Sequence, residues 1–314
     1  MTLPIVALTG ATGFIGRRLM QALVEEGYLV RALARRIPPG TEVTDAVTWI
    51  KGSLTDDHAL RKLIAGATAI VHCAGCVKAL DRETFYEING AATRRLAELA
   101  AAQPTPPRFV LMSSLAAREP RLSAYAASKR AGEQAVNAFR DRLPVVILRP
   151  PAVYGPGDTE TLKIFQMAAH GFIAAPAVAR ARASLVHVHD VARAVVAALA
   201  LPEPPDAPIE FDDGTPGAYS WSDIAAAAGA ALRTTPKVVP IPAALLYVAG
   251  ALATVQAWLT RRPGVMSWGK VPELLHPDWV SATGTFQGYK PLWNIEKGFK
   301  DTVTWYSSQG LLTT

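Results

Sequence analysis

Cysteine is nearly absent from this sequence of 314 residues, which has only Cys73 and Cys76. Two cysteines exclude the class of small domains held together by several disulfides, and they favour a reducing compartment. The pair forms a C-x-x-C motif in "VHCAGCVKA". Redox pairs usually lie at the start of a helix, whereas this one follows an apolar strand-like run. We therefore interpret Cys73 as a small buried side chain, with a redox dithiol as the alternative.

Long basic runs and a secretory leader are also absent. No run of Lys or Arg exceeds two residues although the net charge is +6, which argues against a nucleic-acid partner. The mild basic excess suits an anionic cofactor or an anionic membrane surface. "MTLPIVALTG" has no basic n-region. We expect a cytoplasmic protein, with peripheral contact to the cytoplasmic face of the inner membrane as an extension of that expectation.

Charged residues make up only 18% of the chain and hydrophobic residues 50%, which excludes a disordered protein and permits a large core. Apolar strand-like runs alternate with helical patterns in the first half, which is typical of an α/β fold with a doubly wound parallel sheet. The predicted strands are "PIVALT", "YLVRALAR", "AVTWIKG", "ATAIVHCAG", "PPRFVLMSS" and "LPVVILRP". The predicted helices include "FIGRRLMQALVEEG", "DDHALRKLIAG" and one long helix, "RETFYEINGAATRRLAELAAA".

The regular alternation fades in the second half of the chain. A further strand and helix, "SLVHVHDVARAVVAALA", have the pattern of the core. We predict a Rossmann core over residues 1–170, to which 184–212 return. A smaller, mostly helical substrate lobe is predicted over 171–183 and 213–314.

A glycine-rich turn joins the first predicted strand to the first helix. "TGATGFIG" places Gly10, Gly13 and Gly16 where a dinucleotide-binding fold has its tight turn, close pyrophosphate approach and close helix packing. The helix start offers N–H donors to the phosphates. The second strand ends in "LARR", where Ala34 occupies the position of a ribose-binding acid and Arg35 and Arg36 follow. Guanidinium groups match a 2′-phosphate, so NADP(H) is predicted, with NAD(H) as the alternative.

Tyr125 and Lys129 are four residues apart in "SAYAASK" and share one side of a predicted helix. This spacing alone leaves open whether they are a proton-transfer pair or two exposed neighbours. The surrounding motifs favour the first interpretation. In order along the chain, they are "TGATGFIG", "GSLTDDHAL", "VHCAG", "FYEINGAATRRL", "FVLMSS", "YAASK", "LRPPAVYGPGD" and "VHVHDVARAV". Over nearly its whole length the chain resembles the extended short-chain dehydrogenase/reductases, which are similar to NAD-dependent epimerases and dehydratases.

The resemblance implies a catalytic role for each of four residues. Tyr125 would be the general acid that protonates a carbonyl oxygen as hydride arrives. Lys129 would lower the tyrosine pKa from its ordinary value near 10 and hold the nicotinamide ribose. Ser114 would hydrogen-bond the substrate oxygen, with Ser113 as the less favoured serine. Asn89 would support the proton relay or the nicotinamide pocket.

The resemblance also implies a cofactor site, and no metal site. Its residues lie in the glycine turn, at the strand ends and around Tyr125. They are Gly10, Thr12, Gly13, Phe14, Ile15, Gly16, Arg35, Arg36, Ser53, Leu54, Ala74, Gly75, Tyr125, Lys129, Pro150 and Val153. Many family members have Asp before Leu in contact with adenine, whereas this chain has Ser53, which puts that contact in doubt.

The run between Ser114 and Tyr125, "SLAAREPRLSAY", is shorter than in nucleotide-sugar epimerases, which favours a simple ketone reductase. Together with "ELLHPDW" it is most similar to reductases of bacterial sphingolipid synthesis, which act on the 3-oxo group of a long-chain base or its N-acyl form. The alternatives are a sterol or hydroxy-lipid dehydrogenase, or a nucleotide-sugar epimerase or reductase using Arg180 and Arg182. A non-enzymatic nucleotide-binding scaffold would be expected to have a degraded Tyr-x-x-x-Lys motif.

No charged residue occurs from Val238 to Thr260, and Arg261 and Arg262 follow at once. The stretch is long enough to span a bilayer, but Pro240, Pro242, Gly250 and Gln256 weaken that interpretation. The remaining interpretations are a buried helix of the substrate lobe, a homodimer contact, or an apolar edge that rests on a membrane through residues 238–280. Trp268 and Trp279 would suit membrane anchoring or a pocket wall.

Overall fold

The computed structural model describes residues 3–39, 45–264, 266–282 and 284–312, so Val265 of the predicted membrane-contacting segment lies outside the described residues. The strands are β1 (Ile5–Thr9), β2 (Leu29–Ala34), β3 (Val47–Lys51), β4 (Ala69–His72), β5 (Arg108–Met112), β6 (Val145–Arg149), β7 (Ala152–Tyr154), β8 (Phe172–Pro176), β9 (Arg182–Ala183), β10 (Leu185–His187), β11 (Ile209–Glu210), β12 (Lys237–Ile241) and β13 (Asp278–Trp279).

The α-helices lie between the strands and after them. They are α1 (Phe14–Glu25), α2 (Asp57–Ile64), α3 (Arg82–Tyr86), α4 (Ala92–Ala101), α5 (Ala124–Asn137), α6 (Leu162–Ala169), α7 (Val188–Ala200), α8 (Trp221–Leu232), α9 (Ala243–Thr260), α10 (Val271–Leu274) and α11 (Ile295–Ser308). Short 3-10 turns cover Leu115–Arg118 and Trp268–Lys270, and a π-helical turn covers Glu87–Ala91.

The main sheet has seven parallel strands in the order β11-β6-β5-β4-β1-β2-β3. Strands β4 and β6 are buried along their whole length because helices cover both faces of the sheet. On one face α1 and α7 pack through residues such as Leu19, Leu23 and Val191. On the other face α2, α4 and α5 contribute Leu60, Leu96 and others. The predicted doubly wound Rossmann sheet is confirmed.

The strand order changes direction beside β1, since β4 lies on one side of β1 and β2 on the other. In open α/β sheets this switch point forms a crevice at the carboxyl ends of the strands, where ligands bind. The glycine turn after β1, the loop after β4 and the serines after β5 all lie at this edge.

Two predicted elements differ from the structure. The long helix predicted over residues 82–102 is divided, because the π-helical turn Glu87–Ala91 separates α3 from α4. The strand predicted at the start of "SLVHVHD" is present as β10, but β10 pairs with β7 in a separate two-stranded sheet. The seventh strand of the main sheet is instead β11, only two residues long, which pairs with β6. Such a short strand has no recognisable period in the sequence.

A second core lies beyond the sheet, where α6, α8 and α11 pack around Phe165, Phe299 and Tyr306. Tyr154, at the end of β7, joins this core and stacks edge-on against Phe299. This second core takes residues from β7, α6, α8 and α11 but none from α7, which packs on the main sheet, and the predicted boundary between core and lobe stays a prediction.

Candidate active site

The glycine turn after β1 is held by close backbone packing. Gly10 has φ +75°, and a Cβ there would lie 2.6 Å from the backbone nitrogen of Ala74. A Cβ on Gly16 would lie 1.9 Å from the Gly10 carbonyl oxygen, so α1 approaches the turn as only glycine permits. Thr12 and Gly13 are exposed, and Gly13 begins α1 without any side-chain cap. The open N–H groups at this helix start fit a dinucleotide pyrophosphate.

The loop after β4 passes directly beside this turn. The Ala74 N–H donates to Thr9 Oγ1 at 3.2 Å, and His72 contacts both Thr9 Oγ1 at 2.7 Å and Thr93 Oγ1 at 3.0 Å. Burial lowers the pKa of His72 to about 3, so this histidine is neutral and structural. Cys73 and Cys76 are free thiols.

The two thiols have the properties of structural cysteines. Burial raises the pKa of Cys73 to about 12, and it also raises the pKa of Cys76, whose Sγ donates to the Lys78 carbonyl oxygen at 3.0 Å. A redox pair needs a thiolate at neutral pH, which these environments disfavour.

Tyr125 and Lys129 lie on α5 at the same edge of the sheet. Ser123 caps α5 by accepting from the Ala126 N–H at 3.0 Å, so the first turn of the helix carries Tyr125. The Ser114 hydroxyl lies close enough to the Tyr125 phenol to lower its pKa. A Cβ on Gly75 would lie 3.6 Å from Lys129 Nζ, which places the lysine beside the loop after β4. The structure thus brings together Ser114, Tyr125, Lys129 and the glycine turn.

Burial shifts the pKa values of both Tyr125 and Lys129. Burial is the largest cause that raises the pKa of Tyr125 to about 12, and the Glu273 charge raises it further, against the hydrogen bond from Ser114. Lys129 Nζ donates to the Met112 carbonyl oxygen at 2.6 Å, and burial lowers the pKa of Lys129 to about 8. Burial thus dominates the pKa of Tyr125, and the lowering by Lys129 that the resemblance implies stays a prediction.

The two serines after β5 have different partners. Ser113 is buried and donates to Glu133 Oε1 at 2.6 Å, whereas Ser114 faces Tyr125. Pro150 is buried next to Ser114, since its carbonyl oxygen accepts from the Leu115 N–H at 2.8 Å. Val153 lies in β7, three residues further along.

Asn89 lies in the π-helical turn and holds two backbones together. Its Oδ1 accepts from the Cys76 N–H at 2.8 Å, and its Nδ2 donates to the Cys76 carbonyl oxygen and to Ser128 Oγ, both at 2.9 Å. These bonds tie the loop after β4 to α5. The amide therefore positions the loop that carries Gly75.

The remaining residues predicted to bind the cofactor lie just after β2, just after β3 and at the start of α1. Arg35 and Arg36 are exposed immediately after the buried Ala34 at the end of β2. Ser53 Oγ lies 2.8 Å from Thr55 Oγ1, and Leu54 packs on the core. Ile15 is half-buried against the core, and Phe14 lies beside Gly157, whose Cβ would be 3.5 Å from the Phe14 ring.

Sequence analysis missed two groups of residues at this site. Glu133 accepts two hydrogen bonds from Arg149, both at 2.7 Å, and Arg149 also contacts Glu210, with all three side chains buried. From the C-terminal lobe, Glu273 contacts Ser123 and Lys270, and Lys270 Nζ lies 4.7 Å from the centre of the Tyr125 ring. Glu273 follows the "VP" of a short segment without a recognisable motif, so only tertiary packing brings it to Tyr125.

A model of the NAD dependent epimerase/dehydratase family matches residues 6–212, which include the glycine turn, Ser114, Tyr125 and Lys129. The chain belongs to this family. The family match agrees with the extended short-chain dehydrogenase/reductase resemblance, and the protein is an NAD(P)-dependent oxidoreductase.

Two curated proteins and a solved structure are similar to this chain over nearly its whole length. A ceramide reductase from Caulobacter vibrioides is 40% identical over 310 residues, which are 98% of this chain and 96% of that protein. A UDP-glucose 4-epimerase from Vibrio cholerae is 24% identical over 95% of this chain and 94% of its own length. The crystal structure of a UDP-glucuronic acid 4-epimerase from Bacillus cereus, in complex with UDP-glucuronic acid and NAD, has the same fold, with a TM-score of 0.72, 19% identity, and coverage of 98% of this chain and 100% of that chain.

Proposed function

We propose that this protein reduces a ketone on a hydrophobic substrate with NADPH, and that the ketone is the 3-oxo group of a sphingoid base or a ceramide. The observation that carries the proposal is the intact group of Ser114, Tyr125 and Lys129 beside a dinucleotide-type glycine turn. The 40% identity to a ceramide reductase over nearly the whole chain supports the substrate class.

The residues present suit proton delivery to a ketone oxygen. The cofactor, when bound, supplies the hydride. Burial keeps the Tyr125 phenol protonated at neutral pH, so its proton is available to the substrate oxygen. Ser114, which lies close enough to lower the pKa of the phenol, is placed to hydrogen-bond the same oxygen. Lys129, charged below about pH 8, stabilises the negative charge that develops on Tyr125 as the proton leaves.

The substrate argument has a second support besides identity. A nucleotide sugar brings a diphosphate, which calls for free Arg or Lys in the substrate lobe. Of the two arginines that sequence analysis considered for that task, Arg182 donates to the Ala218 carbonyl oxygen at 3.2 Å and lies 3.5 Å from Asp223. A diphosphate would have to displace Asp223 from Arg182, and because that ion pair is exposed this gives the lipid only a small advantage. The epimerase alternative keeps its support from the family and the fold.

Purified enzyme with NADPH and a 3-oxoceramide or 3-oxosphinganine in detergent tests the proposal by the loss of absorbance at the NADPH band. We expect turnover with the lipid and none with a UDP-sugar. Tyr125→Phe should lower kcat by about a thousandfold, because the general acid is lost, while NADPH binding changes little. Turnover of a UDP-sugar in place of the lipid would reverse the assignment.

The preference for NADPH rests on Arg35 and Arg36, which are exposed where the adenosine ribose of a family cofactor would lie. Replacing both by Ala should raise the KM for NADPH by about tenfold or more and leave the KM for NADH nearly unchanged, because only NADPH carries the 2′-phosphate. Arg61→Ala on α2, another exposed arginine, is the matched control. Equal changes for both cofactors would contradict an NADPH preference.

We extend the proposal to peripheral membrane contact through residues 238–280, since a reductase of bilayer lipids meets its substrate at a membrane. The cytoplasmic location and a homodimer stay predictions.

A further inference from the structure

Among the described residues, the outer face of α9 has the largest group of exposed large apolar side chains. Leu245, Val248, Leu252, Val255 and Leu259 recur at intervals of three and four residues and are 55–69% exposed. Trp258, beside them, is 73% exposed. We call these six residues the apolar stripe. Of the three interpretations left open for this stretch, the buried helix is wrong, since Gly250 is the one buried residue of α9.

The opposite side of α9 packs on the short segment Ser267–Val271. A Cβ on Gly250 would lie 2.9 Å from Val271 Cγ2 and 3.1 Å from the Ser267 carbonyl oxygen. The Trp268 N–H donates to Thr254 Oγ1 at 2.9 Å, and the Tyr247 and Trp268 rings are 4.8 Å apart. Length and composition alone would let α9 cross a membrane, which is weak evidence. These contacts hold it along the protein, which leaves the apolar stripe facing outward.

The charge around α9 has one sign. Between Asp223 and Glu273 the sequence has no Asp or Glu, and it has five basic residues: Arg233, Lys237, Arg261, Arg262 and Lys270. A cleft of about 500 Å³ lies at the C-terminal end of α9, with Lys163 and Arg262 among its lining residues. Lys270 is paired with Glu273, and the other four have no acid near them in the sequence. An apolar stripe beside these basic residues matches a surface that is apolar within and anionic at its boundary.

We propose that α9 docks the protein on an anionic phospholipid bilayer, with the helix in the membrane plane. The apolar stripe would enter the acyl-chain boundary, and Arg261 and Arg262 would meet lipid phosphates. The packed segment that supports α9 continues into Lys270, whose Nζ lies 4.7 Å from the Tyr125 ring centre. One short segment thus connects α9, which carries the apolar stripe, to Tyr125. A ketolipid would reach Tyr125 from the bilayer along this side of the protein. This delivery step rests on the proposed function, whereas docking does not.

Co-sedimentation with vesicles tests the docking. We use phosphatidylcholine vesicles with and without phosphatidylglycerol, and we expect wild type to bind the anionic vesicles more tightly. Leu252→Asp with Val255→Asp should weaken binding by about tenfold or more, since charge enters the apolar stripe. Arg261→Glu with Arg262→Glu should remove the preference for phosphatidylglycerol. Arg61→Glu with Lys62→Glu, an exposed basic pair on α2, should bind like wild type.

Three results would overturn the docking: no vesicle binding by wild type, unchanged binding by the Leu252/Val255 variant, or equal losses in the α2 control. Sedimentation velocity examines the competing occupant, a second copy of the chain. A wild-type dimer that dissociates in the Leu252/Val255 variant while vesicle binding persists would assign α9 to the dimer and overturn the proposal.

Activity measurements separate docking from the proposed function. With a short-chain 3-oxo substrate free in solution, the Leu252/Val255 variant should turn over like wild type. With the long-chain substrate in anionic vesicles, it should be slower by about tenfold, matching its loss of binding. Wild type that binds vesicles but reduces neither substrate would contradict the proposed function and leave the docking supported.

Discussion

The surroundings of Lys129 decide at which pH its side chain is charged. Its ammonium group donates to the Met112 carbonyl oxygen, and burial lowers its pKa to about 8. Cys73 and Glu133 act in the opposite direction, while the buried His72 stays neutral nearby. Tyr125, with a pKa of about 12, holds its proton over the same range. Lysine is charged below its pKa, so the charged lysine is lost as the pH rises through about 8.

The loss of the Lys129 charge at high pH predicts how ketone reduction depends on pH. We expect kcat/KM to be level at neutral pH and to fall as the pH rises through about 8, because neutral Lys129 cannot stabilise charge on Tyr125. The measurement is the pH profile of kcat/KM at saturating NADPH. Lys129→Arg, whose guanidinium stays charged, should lose this decline whatever its absolute rate. A wild-type profile that is flat or rises between about pH 7 and pH 9 would contradict the prediction.

At the scale of elements, the β1–α1 turn uses glycine for two separable purposes. Gly10 and Gly16 are needed for packing, because a Cβ at either position meets backbone atoms within 3 Å. Gly13 is exposed, and a Cβ there meets the Gly10 carbonyl oxygen at 3.3 Å, a tight but much milder contact. Its place at the uncapped start of α1 suggests that its lack of a side chain serves the ligand.

The two kinds of glycine should respond differently to alanine. Gly16→Ala should lower the free energy of unfolding by about 3 kcal/mol, because α1 must move away from the turn. Gly13→Ala should change it by less than about 1 kcal/mol and weaken cofactor binding by about tenfold. Urea denaturation and NADPH titration measure the two quantities. Similar stability losses in both variants would show that Gly13 is also a packing residue.

At the scale of the whole molecule, a buried ionic network connects distant parts of the chain near the active-site edge of the sheet. Arg149, in β6, contacts Glu133 of α5 and Glu210 of β11. Glu210 accepts from the Ala282 N–H at 3.0 Å, and Arg118 lies 3.5 Å from Glu210 while donating to the Val280 carbonyl oxygen at 2.8 Å. The network therefore joins the sheet, the helix that carries Tyr125 and the C-terminal chain.

Removing the central cation should destabilise the fold as a unit. Arg149→Met removes the buried cation that Glu133 and Glu210 share and leaves them only the more exposed Arg130 and Arg118, so we expect a loss of about 3 kcal/mol in the free energy of unfolding. Arg142→Met is the control, since Arg142 is 57% exposed and pairs with an exposed acid, and it should cost less than about 1 kcal/mol. Urea unfolding of both variants measures the difference. Equal losses would contradict a central role for the network.

Local patterns in the sequence were enough to predict the parallel sheet, the glycine turn and the placement of Tyr125 and Lys129 on one helix. These features depend on local patterns: strand and helix periods, a glycine spacing, and a helical interval of four residues. Family membership follows from the same motifs and is confirmed by the family match.

The groups that surround those residues depend on the tertiary structure. It placed Lys129 against a backbone carbonyl, separated Ser113 from Ser114, brought Lys270 and Glu273 to Tyr125 from more than 140 positions along the chain, and left the apolar stripe of α9 exposed. The physical reason is that desolvation, charge pairing and exposure depend on packing between distant segments, which no local period encodes. An uncharged run has the same appearance in the sequence whether it is buried or exposed, and only the packing of the folded chain distinguishes a buried helix from an exposed one.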